Sequence, residues 1–118
     1  MSYHATALLA ELDAASSKQL TETLSRMGHH PVRNPESIGS VDIVFCGTNP
    51  ISLARMLEAV REQHREVPVV AVGHDADTSL WLDVLEQGAD DYLCTPCEPI
   101  QINWLFESNL RGKTALNA

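Results

Sequence analysis

Residues 68–96 constrain the fold more than any other stretch of the sequence. They begin with four apolar, mostly β-branched residues, 69–72, without alternation of polar and apolar positions, a pattern typical of a strand covered on both faces. A helix that Asp77 or Thr78 can cap follows, and Gly88 ends it before a second strand begins. A strand, a helix and a strand in succession indicate a parallel sheet.

The rest of the chain continues this alternation. Strands are predicted at 5–10, 29–33, 42–46, 69–72 and 91–93. Four helices are predicted between and after them: the first ends before Gly28, the second includes 53–62, the third ends before Gly88, and the last extends from Pro99 to Gly112. Residues 34–41 contain so many turn-forming residues that at most one turn of helix fits there. The predicted fold is α/β and flavodoxin-like: a doubly wound, five-stranded parallel sheet of order 2-1-3-4-5, with its second helix shortened or lost.

Length and composition fit one small domain. The chain has 118 residues, 44% of them hydrophobic, so we expect a single domain over 1–112 and a disordered tail over 113–118. No apolar run reaches the ~20 residues of a membrane span, and the N-terminus lacks a signal-peptide pattern, which favours a cytoplasmic protein. The formal charge of −8 repels nucleic acid and anionic membrane surfaces, so neither is an expected partner.

One motif resembles a known family. The run GADDYL at 88–93, followed by Thr95 and Pro96, resembles the signature of response-regulator receiver domains of the CheY-like type, and residues 42–45 and 68–70 resemble their third and fourth strands. The resemblance implies a two-component or phosphorelay signal-transduction domain. In that family an aspartate that follows the third strand accepts a phosphoryl group from a kinase histidine.

The phosphorylation pocket that this resemblance implies is degenerate. Gly47 stands at the position of the phosphoacceptor aspartate, Gly73 at that of a serine or threonine, and Thr95 at that of a lysine. Of the acid pair that helps to bind magnesium only Glu11 remains, because Leu12 occupies the second place. Glycine offers no nucleophile for an acyl phosphate. The resemblance therefore implies a pseudo-receiver that is not an enzyme, holds no metal or other cofactor, and cannot be phosphorylated on aspartate.

The resemblance also implies a partner-binding face. Family receivers signal through the surface formed by the fourth helix, the fifth strand and the fifth helix, and the matching positions here are Trp81, Leu85, Tyr92, Trp104 and Leu105. Both tryptophans are expected to be partly exposed, as aromatic interface anchors often are. The expected partner is a signalling complex, a kinase or an effector, or a second copy of the chain in a homodimer. Core-filling roles are expected for Leu80, Leu82, Val84, Ile102 and Phe106.

The shortened segment at 34–41 leaves a further question about the sheet face that a full second helix covers in the family. Either a partner shields the uncovered sheet, or polar substitutions make its exposure tolerable. The sequence favours neither alternative.

A rival function of a different class rests on cysteine chemistry. Cys94 and Cys97 form a C-x-x-C motif between a strand end and a helix start, where a helix dipole lowers the pKa of a thiol and favours redox activity. The alternative is that both thiols only fill apolar positions. Together with Cys46 and His74 the pair also has the ligand types that zinc prefers, although the spacing matches no standard zinc module.

A weaker possibility is a cation site at the same edge of the sheet. Asp75 and Asp77 are interpreted as helix-capping residues, but with Glu11 and Asp13 they supply the carboxylate oxygens that a hard cation prefers.

Overall fold

The computed structural model describes residues 4–63, 66–74 and 77–116. Its strands are β1 (Thr6–Ala10), β2 (His30–Val32), β3 (Ile43–Gly47), β4 (Val69–Gly73) and β5 (Asp91–Cys94); its helices are α1 (Ala14–Arg26), α2 (Pro50–Gln63), α3 (Thr78–Gln87) and α4 (Pro99–Leu116), with a short 3₁₀ helix at Pro35–Ser40. None of the described helices combines the length and apolar character needed to cross a membrane.

The five strands form one sheet of order β2-β1-β3-β4-β5, and every neighbouring pair is parallel. Phe45 at the centre of β3 lies beside Leu9 of β1 and Val70 of β4. The carboxyl ends of β1, β3, β4 and β5 therefore meet at one edge. The fold class and strand order predicted from the sequence are confirmed.

Two hydrophobic clusters cover the two faces of the sheet. Helices α1 and α4 pack on one face around Phe45, which is fully buried, with Leu24 and Phe106 contributed by the helices. Helices α2 and α3 and the 3₁₀ helix pack on the other, where Leu8 and Leu53 are fully buried. Each such side chain contributes about 1.5 to 3 kcal/mol relative to its exposed state. The continuous apolar runs of β3 and β4 arise from this two-sided burial.

Helix ends are set by local signals in the sequence. Asp77 caps α3 by accepting a hydrogen bond from the backbone N–H of Ser79 at 2.9 Å, as the sequence predicted, and Gly88 ends that helix with φ 121°. Ser16 followed by Gln19 resembles a capping box in the sequence, but Ser16 does not cap α1. Asp13 is the cap instead, with the N–H of Ser16 donating to it at 2.8 Å, so α1 begins earlier.

Both explanations offered for the shortened second helix are wrong, because the sheet is not left uncovered there. Ile38 of the 3₁₀ helix and Val41 beside it are each only 3% exposed and belong to the cluster that contains Leu8 and Val44. The short 3₁₀ helix is enough to cover this part of the sheet because α2 also packs against it.

Two expectations about helices are also corrected. Leu82 is 54% exposed rather than buried, because α3 turns Val84 toward the sheet and Leu82 lies two residues away on a helix of 3.6 residues per turn. Helix α4 continues past Gly112 to Leu116. Glycine lowers helix stability by only about 1 kcal/mol and does not by itself stop a helix.

Candidate functional site

A pocket of about 300 Å³ lies at the carboxyl ends of β1, β3 and β4. Three of the four predicted positions of the degenerate site, Glu11, Gly47 and Gly73, line it together with Thr48 and His74. In an open parallel sheet this edge is the usual place for ligand chemistry. The structure thus brings the predicted positions together, but the groups they present are two glycines and a carboxylate.

The backbone just after β1 lies against Gly47 at this edge of the sheet. A Cβ atom placed on Gly47 would overlap the carbonyl oxygen of Glu11. Glu11 turns this carbonyl toward Gly47 while holding a left-handed conformation, with φ 57°. A non-glycine residue in that region is uncommon. Position 47 therefore has neither a side chain nor the space for one.

A network of polar side chains lies beside the pocket, at the position where the family pattern places a lysine. Its four members are Asp13, Ser16, His74 and Thr95. Thr95 is 4% exposed, and its hydroxyl lies 2.7 Å from the hydroxyl of Ser16, itself 2% exposed. Each hydroxyl has one proton, so one of the two donates to the other, and the remaining proton is donated to Asp13, 3.2 Å from Ser16, or to the carbonyl of Gly73, 3.3 Å from Thr95. No charged amine stands here, and the buried hydroxyls satisfy one another.

A side-chain hydrogen bond joins the residues that follow β1 to those that follow β4. His74 Nε2 lies 2.6 Å from Asp13 Oδ2, with both side chains about half exposed. The backbone N–H of Ser16 holds the pKa of Asp13 below its ordinary value against the opposing effect of desolvation, and the hydrogen bond with His74 acts in the same direction as Ser16. Both contacts to His74 involve Nε2, and Ser16 is buried, so these residues do not form a nucleophilic triad.

Tyr92 fills the space that the absence of a side chain at Gly73 leaves open. A Cβ atom on Gly73 would overlap the hydroxyl of Tyr92, and two further ring carbons lie 3.1 and 3.2 Å from it. The thiol of Cys94 lies 3.8 Å from the same hydroxyl. The inward position of the Tyr92 ring therefore depends on glycine at position 73.

Two of the three cysteines, Cys46 and Cys97, do not have the environment that a reactive thiol requires. Cys97 is buried, and burial raises the pKa of its thiol, although Gln19 accepts a hydrogen bond from it at 3.4 Å. Burial also raises the pKa of Cys46 to about 12. Reactive cysteines need a lowered pKa and access to solvent. The expected effect of the helix dipole on Cys97 is outweighed by desolvation, and all three cysteines are free thiols.

The candidate metal ligands are not assembled into a site in the described part of the chain. No group of three or more His, Cys, Asp or Glu side chains there has the geometry to hold a metal ion. Of the proposed zinc ligands, His74 is bound to Asp13 instead. Of the proposed cation ligands, Asp13 and Asp77 cap helices, and Asp75 lies outside the described residues.

A second depression lies between α3, β5 and α4. It is an open groove of about 390 Å³, and Trp81, Tyr92, Trp104 and Leu105 are among its lining residues. Trp81 is 44% and Trp104 61% exposed, in line with the exposure expected from the sequence. Leu105 is 6% exposed and forms part of the core, so it contributes the buried floor of the groove. Leu85 is half-buried and is not among the lining residues.

Sequence reasoning missed the role of Ser16 and the pairing of Asp13 with His74. Ser16 and Thr95 are 79 residues apart in the chain, and no local pattern marks either hydroxyl as the partner of the other. The available signal was the position of Asp13 and His74 after strands whose carboxyl ends share one edge.

No protein-family model matches the sequence, and no curated protein is significantly similar to it. Solved structures are similar in fold. NtrX from Brucella abortus matches with a TM-score of 0.76 and 17% identity over 98% of this chain and 29% of that one, so the chain spans less than a third of that protein. The chain has a receiver fold. Identities this low establish the fold alone.

Two further receiver-type structures match over nearly their whole length. A two-component response regulator from Clostridium difficile matches with a TM-score of 0.68 and 21% identity, covering 90% of this chain and 95% of that one. The receiver domain of sensor histidine kinase PA1611 from Pseudomonas aeruginosa matches with a TM-score of 0.72 and 18% identity, covering 92% of this chain and 98% of that one. That domain has a magnesium ion coordinated in its active site cleft.

Proposed function

We propose that this chain is a receiver-like signal-transduction domain that acts through protein contacts and is not phosphorylated on aspartate. Its receiver fold, shared with response regulators and with a kinase-attached receiver domain, supports a role in two-component signalling. The proposal gives the domain no catalytic activity of its own.

The contact between Gly47 and Glu11 carries the proposal. An aspartyl phosphate needs a carboxylate nucleophile with room for a phosphoryl group and a cation beside it. Here the carbonyl of Glu11 already lies where a side chain at position 47 would begin. The buried hydroxyls of Ser16 and Thr95 are hydrogen-bonded to each other and provide no positive charge for a phosphoryl group.

The groove between α3, β5 and α4 supports signalling by contact. Large contiguous apolar patches on a protein surface usually mark a site for a partner. Trp81 and Trp104 line one groove and are both substantially exposed, and tryptophan is among the residues that most often anchor interfaces. Tyr92 connects this groove to Gly73 in the degenerate pocket.

A titration followed by amide NMR tests the absence of phosphoryl chemistry. Magnesium with beryllofluoride, which mimics a phosphoryl group on aspartate, is added to the intact chain, and the amides of Gly47 and Gly73 are observed. We expect no saturable shift at either amide. The PA1611 receiver domain, whose cleft holds magnesium, serves as the positive control. Saturable shifts at both glycines of this chain would refute the proposal.

A further inference from the structure

The charge of the chain is distributed unevenly around the groove between α3, β5 and α4. No lysine or arginine occurs between residues 66 and 110, so all eight cationic side chains lie outside this stretch. Nine of the 16 acidic residues fall within it: Glu66, Asp75, Asp77, Asp83, Glu86, Asp90, Asp91, Glu98 and Glu107. The groove is therefore built from a stretch of the chain whose fixed charges are all negative up to residue 110, with Arg111 and Lys113 following in α4.

Two of these carboxylates line the groove itself. Asp77 accepts the capping hydrogen bond from Ser79, and Asp91 accepts from the backbone N–H of Tyr92 at 2.8 Å and from the side chain of Asn109 at 3.3 Å. A carboxylate accepts up to about four hydrogen bonds, so both retain capacity for a donor from outside the chain. Their position beside two exposed tryptophans combines anionic acceptors with aromatic faces.

We propose that this groove binds a basic, amphipathic segment of a partner protein, whose arginine or lysine side chains contact the tryptophans and the carboxylates of Asp77 and Asp91. An aromatic face attracts a cation through its quadrupole, most strongly when the aromatic residue is tryptophan. Arginine fits best, because its planar guanidinium stacks on a ring and donates to a carboxylate at the same time. The inference rests on the proposed function and specifies the chemistry of the partner.

The same charge distribution argues against a second copy of the chain as the occupant. A two-fold symmetric dimer through this groove would place each acidic surface against its own copy. Like charges placed opposite each other across an interface are strongly unfavourable. The basic residues of α4, Arg111 and Lys113, follow Ser108, the last residue of that helix to line the groove. A hetero-partner with the opposite charge satisfies both the aromatic and the anionic parts of the groove.

Binding of designed peptides to the intact chain tests the inference. Three fluorescent helical peptides share one leucine-bearing apolar face and carry arginine, glutamine or glutamate at all polar positions. We expect the arginine peptide to bind at least about tenfold more tightly than the glutamine peptide, and the glutamate peptide not to bind. Binding of the arginine peptide should weaken as salt is raised, because the carboxylates are partly exposed.

Variants of the chain locate the binding. The double variant Asp77→Asn and Asp91→Asn should weaken binding of the arginine peptide about threefold to tenfold, since asparagine retains the cap of α3 but not the charge. Trp81→Ala and Trp104→Ala should each weaken it by at least about tenfold. The matched controls are Asp83→Asn, an exposed acid on α3 outside the groove, and Ile51→Ala, a 64% exposed residue on α2; both should bind as the unaltered chain does.

Four outcomes would overturn the inference: equal affinity for the arginine and glutamine peptides, no binding of any peptide, loss of binding in the two controls, or a dimer in solution that Trp81→Ala abolishes. Equal affinity that still depends on Trp104 would refute the basic partner but leave protein contact through this groove standing. Saturable beryllofluoride shifts at Gly47 would instead refute the proposed function. The two failures are therefore distinguishable.

Discussion

The pocket at the carboxyl ends of the strands and the groove between α3, β5 and α4 differ in how their polar and apolar groups are satisfied. Beside the pocket, Ser16 and Thr95 bind each other, and in the pocket the carbonyl of Glu11 occupies the space beside Gly47. In the groove, Trp81 and Trp104 stay exposed within an acidic surface.

This difference indicates where the domain can interact with another molecule. Buried polar groups that are bonded within the chain add stability and leave little capacity for a ligand. Exposed aromatic side chains gain free energy only when something covers them. We therefore assign a structural role to the pocket and a binding role to the groove.

The largest effect on stability is expected from adding a methyl group at position 47, beside the carbonyl of Glu11. Gly47→Ala should lower the free energy of unfolding by about 2 to 3 kcal/mol, because the new Cβ meets the backbone carbonyl of Glu11 rather than a side chain that can rotate away. Urea denaturation measures the loss. Gly39→Ala is the matched control, since the nearest atom to a Cβ there is a glutamine oxygen 4.0 Å away. An unfolding free energy unchanged by Gly47→Ala would show that the pocket is open.

The next effect concerns the buried hydroxyl pair. Thr95→Val removes the hydroxyl that Ser16 contacts at 2.7 Å and should destabilise the domain by about 1 to 2 kcal/mol. Thr48→Val is the control, because Thr48 lines the adjacent pocket and its side chain makes no hydrogen bond among the described residues. Equal losses for the two variants would mean that the hydroxyl pair does not hold the pocket together.

A smaller effect links the pocket to the groove. Gly73→Ala should displace the Tyr92 hydroxyl and shift its ring toward the groove, at a stability loss below about 1 kcal/mol, because a tyrosine side chain can move. The amides and indole N–H signals of Trp81 and Trp104 should shift in an NMR spectrum. In the background of Tyr92→Ala the same substitution should leave those signals unchanged. If the tryptophan signals do not shift in Gly73→Ala, the pocket and the groove are not coupled through Tyr92.

The smallest effect is a change in acid stability through Asp13. The pKa of Asp13 is lowered from 3.8, chiefly by the N–H of Ser16, so the folded state binds fewer protons than the unfolded state in that range. The ionised Asp13 carboxylate therefore contributes to stability fully above pH 3.8, and this contribution is lost as the pH falls through the lowered pKa of Asp13 in the folded state. Asp13→Asn keeps the cap and should give a shallower fall below that pH in urea denaturation. Parallel curves for the two proteins would contradict the assignment.

Much of the fold was predictable because its signals are local. Unbroken apolar runs at β3 and β4, together with Gly28 and Gly88, determined the parallel sheet and two helix ends. The exposure of Leu82 was not predictable, because the face that α3 turns toward the sheet depends on how the helix docks.

The site was predictable in its positions and not in its contacts. The resemblance to receivers located Glu11, Gly47 and Gly73 at one edge of the sheet, where the structure has them. The approach of the Glu11 carbonyl to Gly47 depends on a left-handed residue that is not glycine, and no sequence rule predicts that conformation for glutamate. The pairing of Asp13 with His74 depends in the same way on packing between distant segments.

Intact-mass measurement after incubation with acetyl phosphate and magnesium tests the central claim most directly. A receiver with a functional acceptor gains one phosphoryl group under these conditions, and hydroxylamine removes it because the bond is an acyl phosphate. We predict that this chain keeps its unmodified mass at every incubation time. A phosphoryl adduct that hydroxylamine removes would contradict the account.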